Sequence, residues 1–443
     1  MIRTFRIGGI HPPANKLSAG QPIQMITRPA SVIIPLDQHV GAPATAVVSK
    51  GDKVKVGTLI GKAEGHVSAN IHSSVSGTVT KVDNVNNGAG IAHPAVYIKT
   101  EGDEWEPDID RSEPLIKACT LSPSEIIEKI AAAGVVGMGG ASFPAKVKLS
   151  PPPGSKAEVL IINAVECEPY LTADHALVIE KSEQIMVGVT LLMKALNTGR
   201  AVIGVEDNKP DALERLTQLS TSYEGIEVVA LQTRYPQGGE RQLIEVVINR
   251  QVKSGKLPIS VGAIVQNVAT VYAVYEAVQK NKPLIERVVT VTGKNVAKPS
   301  NFLVCIGTPV DVLIEAAGGL PEETGKIIEG GPMMGKAMVN TAAPVTKGCS
   351  GILMMTNDEA LRRPVHDCIR CAKCVRVCSM GLEPHLLMNL TEHRMWDEAE
   401  KNHITNCLDC GSCSYICPAN RPLLDYIRLG KSAVTALRNT RKT

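Results

Sequence analysis

The first hundred residues alternate short apolar runs with glycine turns: Ala46-Val47-Val48, Gly51-Asp52-Lys53-Val54, Gly57-Thr58-Leu59-Ile60 and Ser76-Gly77-Thr78-Val79-Thr80. Short β-type runs bounded by turn residues predict strands, so residues 1–100 read as a small all-β domain. Residues 101–114 are acidic and punctuated by Pro107 and Pro114, which predicts a linker. The period then changes. Ser122-Pro123-Ser124-Glu125 is a capping box before a helix that keeps Ile126, Ile127, Ile130 and Ala131 on one face and stops at Gly134. A strand Val159-Leu160-Ile161-Ile162, a helix over 175–196, the run Ala201 to Val205, a helix near 210–219 and Val228-Val229-Ala230 follow in alternation. That alternation predicts a three-layer α/β domain over 115–260. From about 261 to 340 the pattern becomes Val288 to Thr292, a Gly293-Lys294-Asn295 turn, Phe302-Leu303-Val304, and a helix from Val310 to Ala317 stopped by Gly318-Gly319. This reads as a small β-grasp-like unit. Residues 341–365 lead into a tail over 355–443, in which a helical stretch with Leu386, Leu387, Leu390 and Trp396 separates two cysteine-rich runs. The expected fold class is multidomain α/β.

Composition narrows the function. At 443 residues the chain supports about three or four cores. Apolar content of 44% is ordinary, and no stretch approaches the roughly 20 apolar residues that span a bilayer, so no transmembrane segment of its own is expected. The start, Met1-Ile2-Arg3-Thr4-Phe5-Arg6, lacks the apolar core of a secretory signal, which predicts residence in the reducing cytosol. A net charge of +3 argues against a general nucleic-acid binder. The charge is uneven: residues 361–443 carry 13 Lys and Arg against 8 Asp and Glu, a local +5 that suits docking to acidic proteins, a phospholipid surface, or the support of anionic centres.

Those anionic centres are legible in the cysteines. Eight of 12 fall in two runs, Cys368-x2-Cys371-x2-Cys374-x3-Cys378 and Cys407-x2-Cys410-x2-Cys413-x3-Cys417-Pro418. Three thiolates at intervals of three let one loop wrap a [4Fe-4S] cubane, while the fourth cysteine of each run reaches the other cluster. Cluster one is then expected on Cys368, Cys371, Cys374 and Cys417, and cluster two on Cys407, Cys410, Cys413 and Cys378. Structural zinc favours separated cysteine pairs rather than triplets, and disulfides do not suit a reducing compartment. Ser379, not proline, follows Cys378. Cys119, Cys167, Cys305 and Cys349 lack metal spacing and read as small buried hydrophobes. His366, His385, His393 and His403 flank the cluster runs, but eight thiolates already complete two cubanes.

A second constellation precedes the clusters. Gly134-Val135-Val136-Gly137-Met138-Gly139-Gly140-Ala141-Ser142-Phe143-Pro144 closes a helix and leads to Lys146 and Lys148. Backbone amides reach a phosphate only where side chains are absent, and the lysines add positive charge. The loop follows a helix rather than a strand and has Ser142 at the sixth position, so it is not a Rossmann fingerprint. Taken alone it is as readily a tight turn as a phosphate site. Asn163-Ala164-Val165-Glu166-Cys167-Glu168-Pro169 stands at the end of the strand over 159–162, where α/β sheets carry ligand contacts.

The two patches resemble the NADH-oxidising flavoprotein subunit of complex I, with its Gly-Arg-Gly-Gly-Ala-Gly-Phe-Pro loop and Asn-Ala-Asp-Glu-x-Glu-Pro strand end. The whole chain, from Gly8-Gly9-Ile10-His11-Pro12-Pro13 through Gly330-Gly331-Pro332-Met333-Met334-Gly335 to the paired cysteine runs, resembles the C subunits of Rnf electron-transport complexes. The resemblance implies an N-terminal barrel-sandwich hybrid, an FMN-binding α/β domain, a β-grasp domain of the soluble-ligand-binding type and a ferredoxin-like two-cluster tail. The first of these is similar to biotinyl and lipoyl carriers, but His66 stands where the carrier lysine would be, so it is expected to be a scaffold. By resemblance, Gly137, Gly139, Gly140 and Lys148 border FMN, with Asn163 and Glu166 alongside; Phe143 stacks near NAD(H) and Glu168 meets the dinucleotide. Tyr235-Pro236-Gln237-Gly238-Gly239-Glu240 matches the complex I segment at Tyr235, Gly238 and Glu240, and Gln266-Asn267 matches its paired asparagines near the flavin. Met138, Val165 and Gly239 depart from the pattern, replacing one cation and two anions. No catalytic side chain is assigned. The implied activity is electron passage between NADH, FMN and two [4Fe-4S] clusters, in a ferredoxin:NAD oxidoreductase coupled to Na⁺ or H⁺ movement. The chain is then a peripheral subunit on the cytoplasmic face of a bacterial or archaeal membrane. Its partners are integral membrane subunits and, indirectly, ferredoxin. Competing readings are a soluble cobalamin-reductase-like flavoprotein and a non-catalytic electron wire.

Overall fold

A computed structural model describes residues 2–441. Residues 2–20 join no sheet of the N-terminal domain. Arg3 bridges Leu231 and Ile10 bridges Tyr235, so the chain begins as a strap across the later α/β domain. It then gives β1 (Ile23–Met25) before the all-β domain proper. That domain holds β2 (Ser31–Pro35), β3 (Thr45–Ala46), β4 (Lys53–Val54), β5 (Leu59–Lys62), β6 (Ile71–His72), β7 (Gly77–Asn86) and β8 (Ala92–Thr100). They form a sheet in the order β2-β8-β7-β4 and a second sheet β3-β5-β6, with Val32, Ile34, Ile60, Ile71, Val79 and Ile98 buried within it. His66 is exposed on the turn between β5 and β6. The expected linker is packed rather than free: Trp105 bridges Val56 and its ring is approached by the guanidinium groups of Arg28 and Arg111, while Lys280 binds Asp110 at 2.9 Å.

The α/β domain opens with α1 (Pro123–Ala132), where Ser122 and Glu125 make the reciprocal capping box. Then come α2 (Ala145–Leu149), β9 (Val159–Ala164), α3 (Ala173–Leu196), β10 (Ala201–Glu206), α4 (Pro210–Ser220), β11 (Ile226–Leu231), α5 (Glu240–Ile248), β12 (Ala263–Asn267) and α6 (Val268–Gln279). The sheet is parallel, in the order β11-β10-β9-β12. Helices on both faces explain the unbroken apolar strands. Leu160 and Ile162 share a core with α3 and α6, whereas Val159 and Ile161 share one with Leu243 and Ile244 of α5. The domain therefore does not stop at 260: β12 and α6 complete its sheet and helical layer. Their strand pairs beside β9, far back in the sequence, which turn spacing does not reveal.

The β-grasp unit contains β13 (Glu286–Thr292), β14 (Ser300–Cys305), α7 (Val310–Ala316), β15 (Thr324–Glu329), β16 (Lys336–Met338) and β17 (Gly351–Thr356). Its sheet runs β1-β14-β13-β17-β15-β16, so it borrows one strand from residues 23–25 and another from beyond the expected boundary at 340. After α8 (Asn357–Ala360), the tail is built from α9 (Lys373–Arg376), α10 (Pro384–Glu392), α11 (Trp396–Lys401), α12 (Ser412–Tyr415) and α13 (Leu423–Thr440). Leu387 and Met388 of α10 pack on Ile427 and Val434 of α13. Among the described residues, no helix is long and apolar enough to cross a membrane.

Candidate flavin cradle and cluster cavities

The carboxyl edge of the parallel sheet gathers residues that are far apart in sequence. Asn163 stands one residue before the end of β9 and is the register partner of Asn267, which ends β12 and caps α6 by accepting from Ala269 N and Thr270 N. The glycine loop lies over this edge. Its ends are pinned by Gly137 N donating to Phe143 O at 2.9 Å and by Met138 N donating to Thr270 Oγ1 at 2.9 Å. Between them Gly139, Gly140 and Ala141 are exposed, and among the described residues their amides donate to no protein acceptor. A side chain on Gly139 would place its Cβ 2.6 Å from Asn267 Nδ2, whereas one on Gly140 would meet nothing within 4 Å. The loop is therefore pressed to the sheet at Gly139 and open outward at Gly140. Three amides without a protein acceptor, followed in the chain by Lys146 and Lys148 of α2, fit an anionic phosphate, so the residues present suit FMN.

Other expected residues close the same edge. Lys148 Nζ donates to Glu240 Oε1 at 2.8 Å and to Val265 O at 3.2 Å, and Asn163 Nδ2 donates to Gly238 O at 2.9 Å. Glu240 opens α5, where a carboxylate suits the helix N-terminus. Phe143 is half-buried at the end of the loop. Three further expected residues have partners within the chain. Glu166 caps α3, accepting from Asp174 N at 2.7 Å and His175 N at 3.3 Å. Glu168 turns toward the β-grasp loop: its carboxylate accepts from Met333 N at 3.1 Å and Met334 N at 2.8 Å, within Gly330-Gly331-Pro332-Met333-Met334-Gly335. Burial pushes its carboxyl up to about 7. Tyr235, only 2% exposed, donates to Cys410 O at 2.8 Å and lies 3.4 Å from Glu168 Oε1. Glu168 and Tyr235 thus stand at a three-domain junction.

Sequence reading missed the groups that hold the turn over 165–171. Its backbone has positive φ at Glu166 and Tyr170, a conformation that costs energy in non-glycine residues. Lys16 of the N-terminal strap spans it, donating to Glu166 O, Glu168 O and Leu171 O at 2.9, 2.9 and 2.6 Å, and Lys209 donates to Val165 O at 2.8 Å. Nothing local to Lys16 signals this. Cys167 is held in the turn with its thiol pushed up to about 12 by burial, which suits packing.

Asp174 was also missed. It is pushed up to about 7 by burial and then by the Glu166 charge, and it accepts from Asn267 Nδ2 at 2.7 Å behind the glycine loop. From an ordinary value of 3.8, the folded state binds an extra proton between about pH 4 and 7, so stability falls as pH rises through that window. Asp174→Asn is expected to flatten this slope by on the order of 1 kcal/mol, read from thermal midpoints at pH 5 and 7.5. An unchanged slope would remove Asp174 as its source.

The cysteine runs fold alike. The third and fifth positions of each, Arg370 and Ala372, then Asp409 and Gly411, have positive φ, curling both loops around a centre. One cavity is lined by Cys407, Cys410, Cys413 and Cys378, and the other by Cys368, Cys371, Cys374 and Cys417. Each run thus lends its fourth cysteine to the other's cavity. Among the described residues, no three potential ligands converge closely enough for a single ion, so each set surrounds a volume rather than a point. That donor chemistry fits cubanes. Burial pushes the Cys407 and Cys413 thiols up to about 12, so their thiolates need the metal's charge.

The Cys378 cavity is the inner one. Gly9 N donates to Val377 O at 2.8 Å, a side chain on Gly8 would collide with the Cys378 carbonyl, and Gln242 Nε2 donates to Ser379 O at 3.2 Å. With Tyr235 bound to Cys410 O, the α/β domain touches both halves of this cavity.

Comparison with known proteins follows this architecture. Residues 4–103 match the RnfC barrel sandwich hybrid domain, 130–276 the Nuo51 FMN-binding domain, 288–337 the SLBB domain and 360–418 the 4Fe-4S dicluster domain. The chain is 45% identical to the C subunit of the proton-translocating ferredoxin:NAD(+) oxidoreductase complex of Clostridium ljungdahlii, covering 98% of this chain and 94% of that protein. It is 41% identical to the Na(+)-translocating counterpart of Acetobacterium woodii, covering 98% of each. With the C subunit of the ion-translocating oxidoreductase complex of Rhodobacter capsulatus it shares 39% identity over 100% of this chain and 85% of that one. Identity of this extent, with four domain families in matching order, shows that the chain belongs to the family of Rnf complex C subunits.

Proposed function

We propose that this chain is the NAD(H)-facing electron-transfer subunit of a membrane-bound, ion-translocating ferredoxin:NAD oxidoreductase, bound peripherally at the cytoplasmic face beside integral membrane subunits. FMN, when bound, takes the two electrons of a hydride together and releases them singly to iron–sulfur centres. The chain's own residues orient and insulate. In this reading Gly137, Gly139, Gly140, Lys148, Asn163 and Asn267 hold the flavin, and Glu240 and Phe143 face the dinucleotide. Glu166 keeps the adjoining turn in shape, with Gly238 packed on it. Glu168 and Tyr235 fix the distance to cluster two. The eight cysteines hold the clusters as the two cavities pair them.

The observation that carries the proposal is the Tyr235 hydroxyl on the Cys410 carbonyl, because it joins the sheet edge beside the glycine loop to a cluster ligand loop by one side chain. Anaerobic purification with iron, sulfide and flavin quantified together tests it: about eight irons and one flavin per chain are expected. Zinc in place of iron, or no extractable flavin, would reject the reading. Tyr235→Phe leaves a buried carbonyl without its donor, costing about 1–2 kcal/mol at the junction. It is expected to slow cluster reduction several-fold in stopped-flow traces while flavin bleaching by NADH keeps its rate.

A further inference from the structure

Resting on that reading, we infer that residues 361–376, the rim of the outer cluster cavity, form a docking surface for the acidic face of an electron-carrying protein. Every residue from Leu361 to Lys373 is exposed, and residues 361–372 adopt neither helix nor strand. The segment carries Arg362, Arg363, Arg370, Lys373 and Arg376 against Asp367 alone, a formal +4 in sixteen residues. Between the cations stand Leu361, Val365 and Ile369, which are 71%, 54% and 68% exposed. Scattered apolar side chains on a surface need no explanation. Three within nine residues, interspersed with arginines and preceding Cys371 in the chain, have the composition of an interface centre with a charged border.

The two cavities differ in a way that gives this surface a purpose. Gly9, Gln242 and Tyr235 bind backbone carbonyls of the loops around the inner one, which docks those loops on the N-terminal strap and the α/β domain. The outer one is lined by Ile369, Arg370, His385, Asn389 and Arg421 along with its cysteines, and it opens beside the rim. A cubane held by Cys368, Cys371, Cys374 and Cys417 would exchange single electrons with the partner's centre across this opening, with no bond formed or broken and no proton moved. The segment is tied down by His366 N donating to Ala419 O at 3.0 Å and Asn420 Nδ2 donating to Pro364 O at 3.0 Å, which keeps its shape while leaving its side chains outward. Arg362 touches Asp425 at 3.3 Å, but both are widely exposed, so that pair competes weakly with a partner. A field of this sign favours an acidic surface and makes association salt-dependent.

The test uses purified holoprotein rebinding to native membranes from a strain lacking this chain, and to protein-free phosphatidylglycerol vesicles. Arg362 and Arg363 lie outside the cysteine run, so Arg362→Glu/Arg363→Glu should leave cluster EPR signals and NADH-dependent flavin bleaching unchanged. Membrane affinity is expected to fall about ten-fold in the variant and by a similar factor for the natural chain on raising salt. Lys50→Glu/Lys62→Glu, which changes net charge equally in the all-β domain, should bind as the natural chain does. Equal affinity of the Arg362/Arg363 variant, or equal loss in the Lys50/Lys62 control, would overturn the surface while sparing the proposed function. Binding to vesicles with the same affinity and the same sensitivity would assign the rim to lipid and reject a protein partner. Failure of the natural chain to rebind any membrane would overturn the peripheral-subunit reading and the surface together.

Discussion

Replacing Cys378 by Ala is expected to abolish cluster two and leave cluster one in place, although Cys378 belongs to the first cysteine run. It lines the cavity of Cys407, Cys410 and Cys413, while Cys417 lines that of Cys368, Cys371 and Cys374. Iron should fall from about eight to about four per chain, with one EPR signal lost. Because the α/β domain binds the loops of the Cys378 cavity at Ser379 O and Cys410 O, electron delivery to outside acceptors through the tail should drop at least about 100-fold, a barrier rise of about 3 kcal/mol. Flavin bleaching by NADH should persist. Cys374→Ser makes the complementary experiment: it should strip or convert cluster one, leaving cluster two reducible. If Cys378→Ala instead removed the signal that Cys374→Ser removes, the crossed pairing would be wrong.

The second large effect concerns two adjacent glycines with opposite surroundings. A Cβ at Gly140 meets no protein atom within 4 Å, so Gly140→Val should leave the apoprotein as stable as before, within about 0.5 kcal/mol. It nevertheless places a branched side chain beside three free amides, and flavin occupancy should fall at least about ten-fold, close to 1.4 kcal/mol of binding. Gly139→Val behaves differently. Its Cβ would press on Asn267, which caps α6 and binds Asp174, so fold and flavin should both suffer, by about 1–3 kcal/mol in stability. Flavin content after anaerobic purification and thermal midpoints of the apoproteins separate the two. Full occupancy in Gly140→Val would show that the outward side of the loop is not the cradle.

The strongest sequence signals concern chemistry that is local in the chain. The capping box at Ser122 and Glu125 forms as the spacing requires, because its partners are three residues apart. The glycine loop and the Asn163 strand end are likewise visible, since a bare backbone beside lysines and a polar strand terminus are local patterns. Less visible is what those residues touch. The resemblance sets Glu168 at the dinucleotide; that Met333 and Met334, 165 and 166 residues away, hold its carboxylate is not visible in the sequence. The Gly330 to Gly335 motif stands out in the sequence, but its partner lies in another domain. Ser379, a departure from the proline expected after the fourth cysteine, proves to be where Gln242 docks the tail.

By itself the sequence determined the two matched cysteine runs, the bare glycine stretch beside lysines and the alternation that makes a parallel sheet, because spacing along a chain sets which groups one loop or one face can present. Only the tertiary structure decided that β12 closes the sheet beside β9, that Lys16 clamps the turn at Glu166, and that Tyr235 faces a cluster loop. Those outcomes depend on burial shared between distant segments: a lysine or a tyrosine is committed to its partner only when packing removes the water that would otherwise satisfy it.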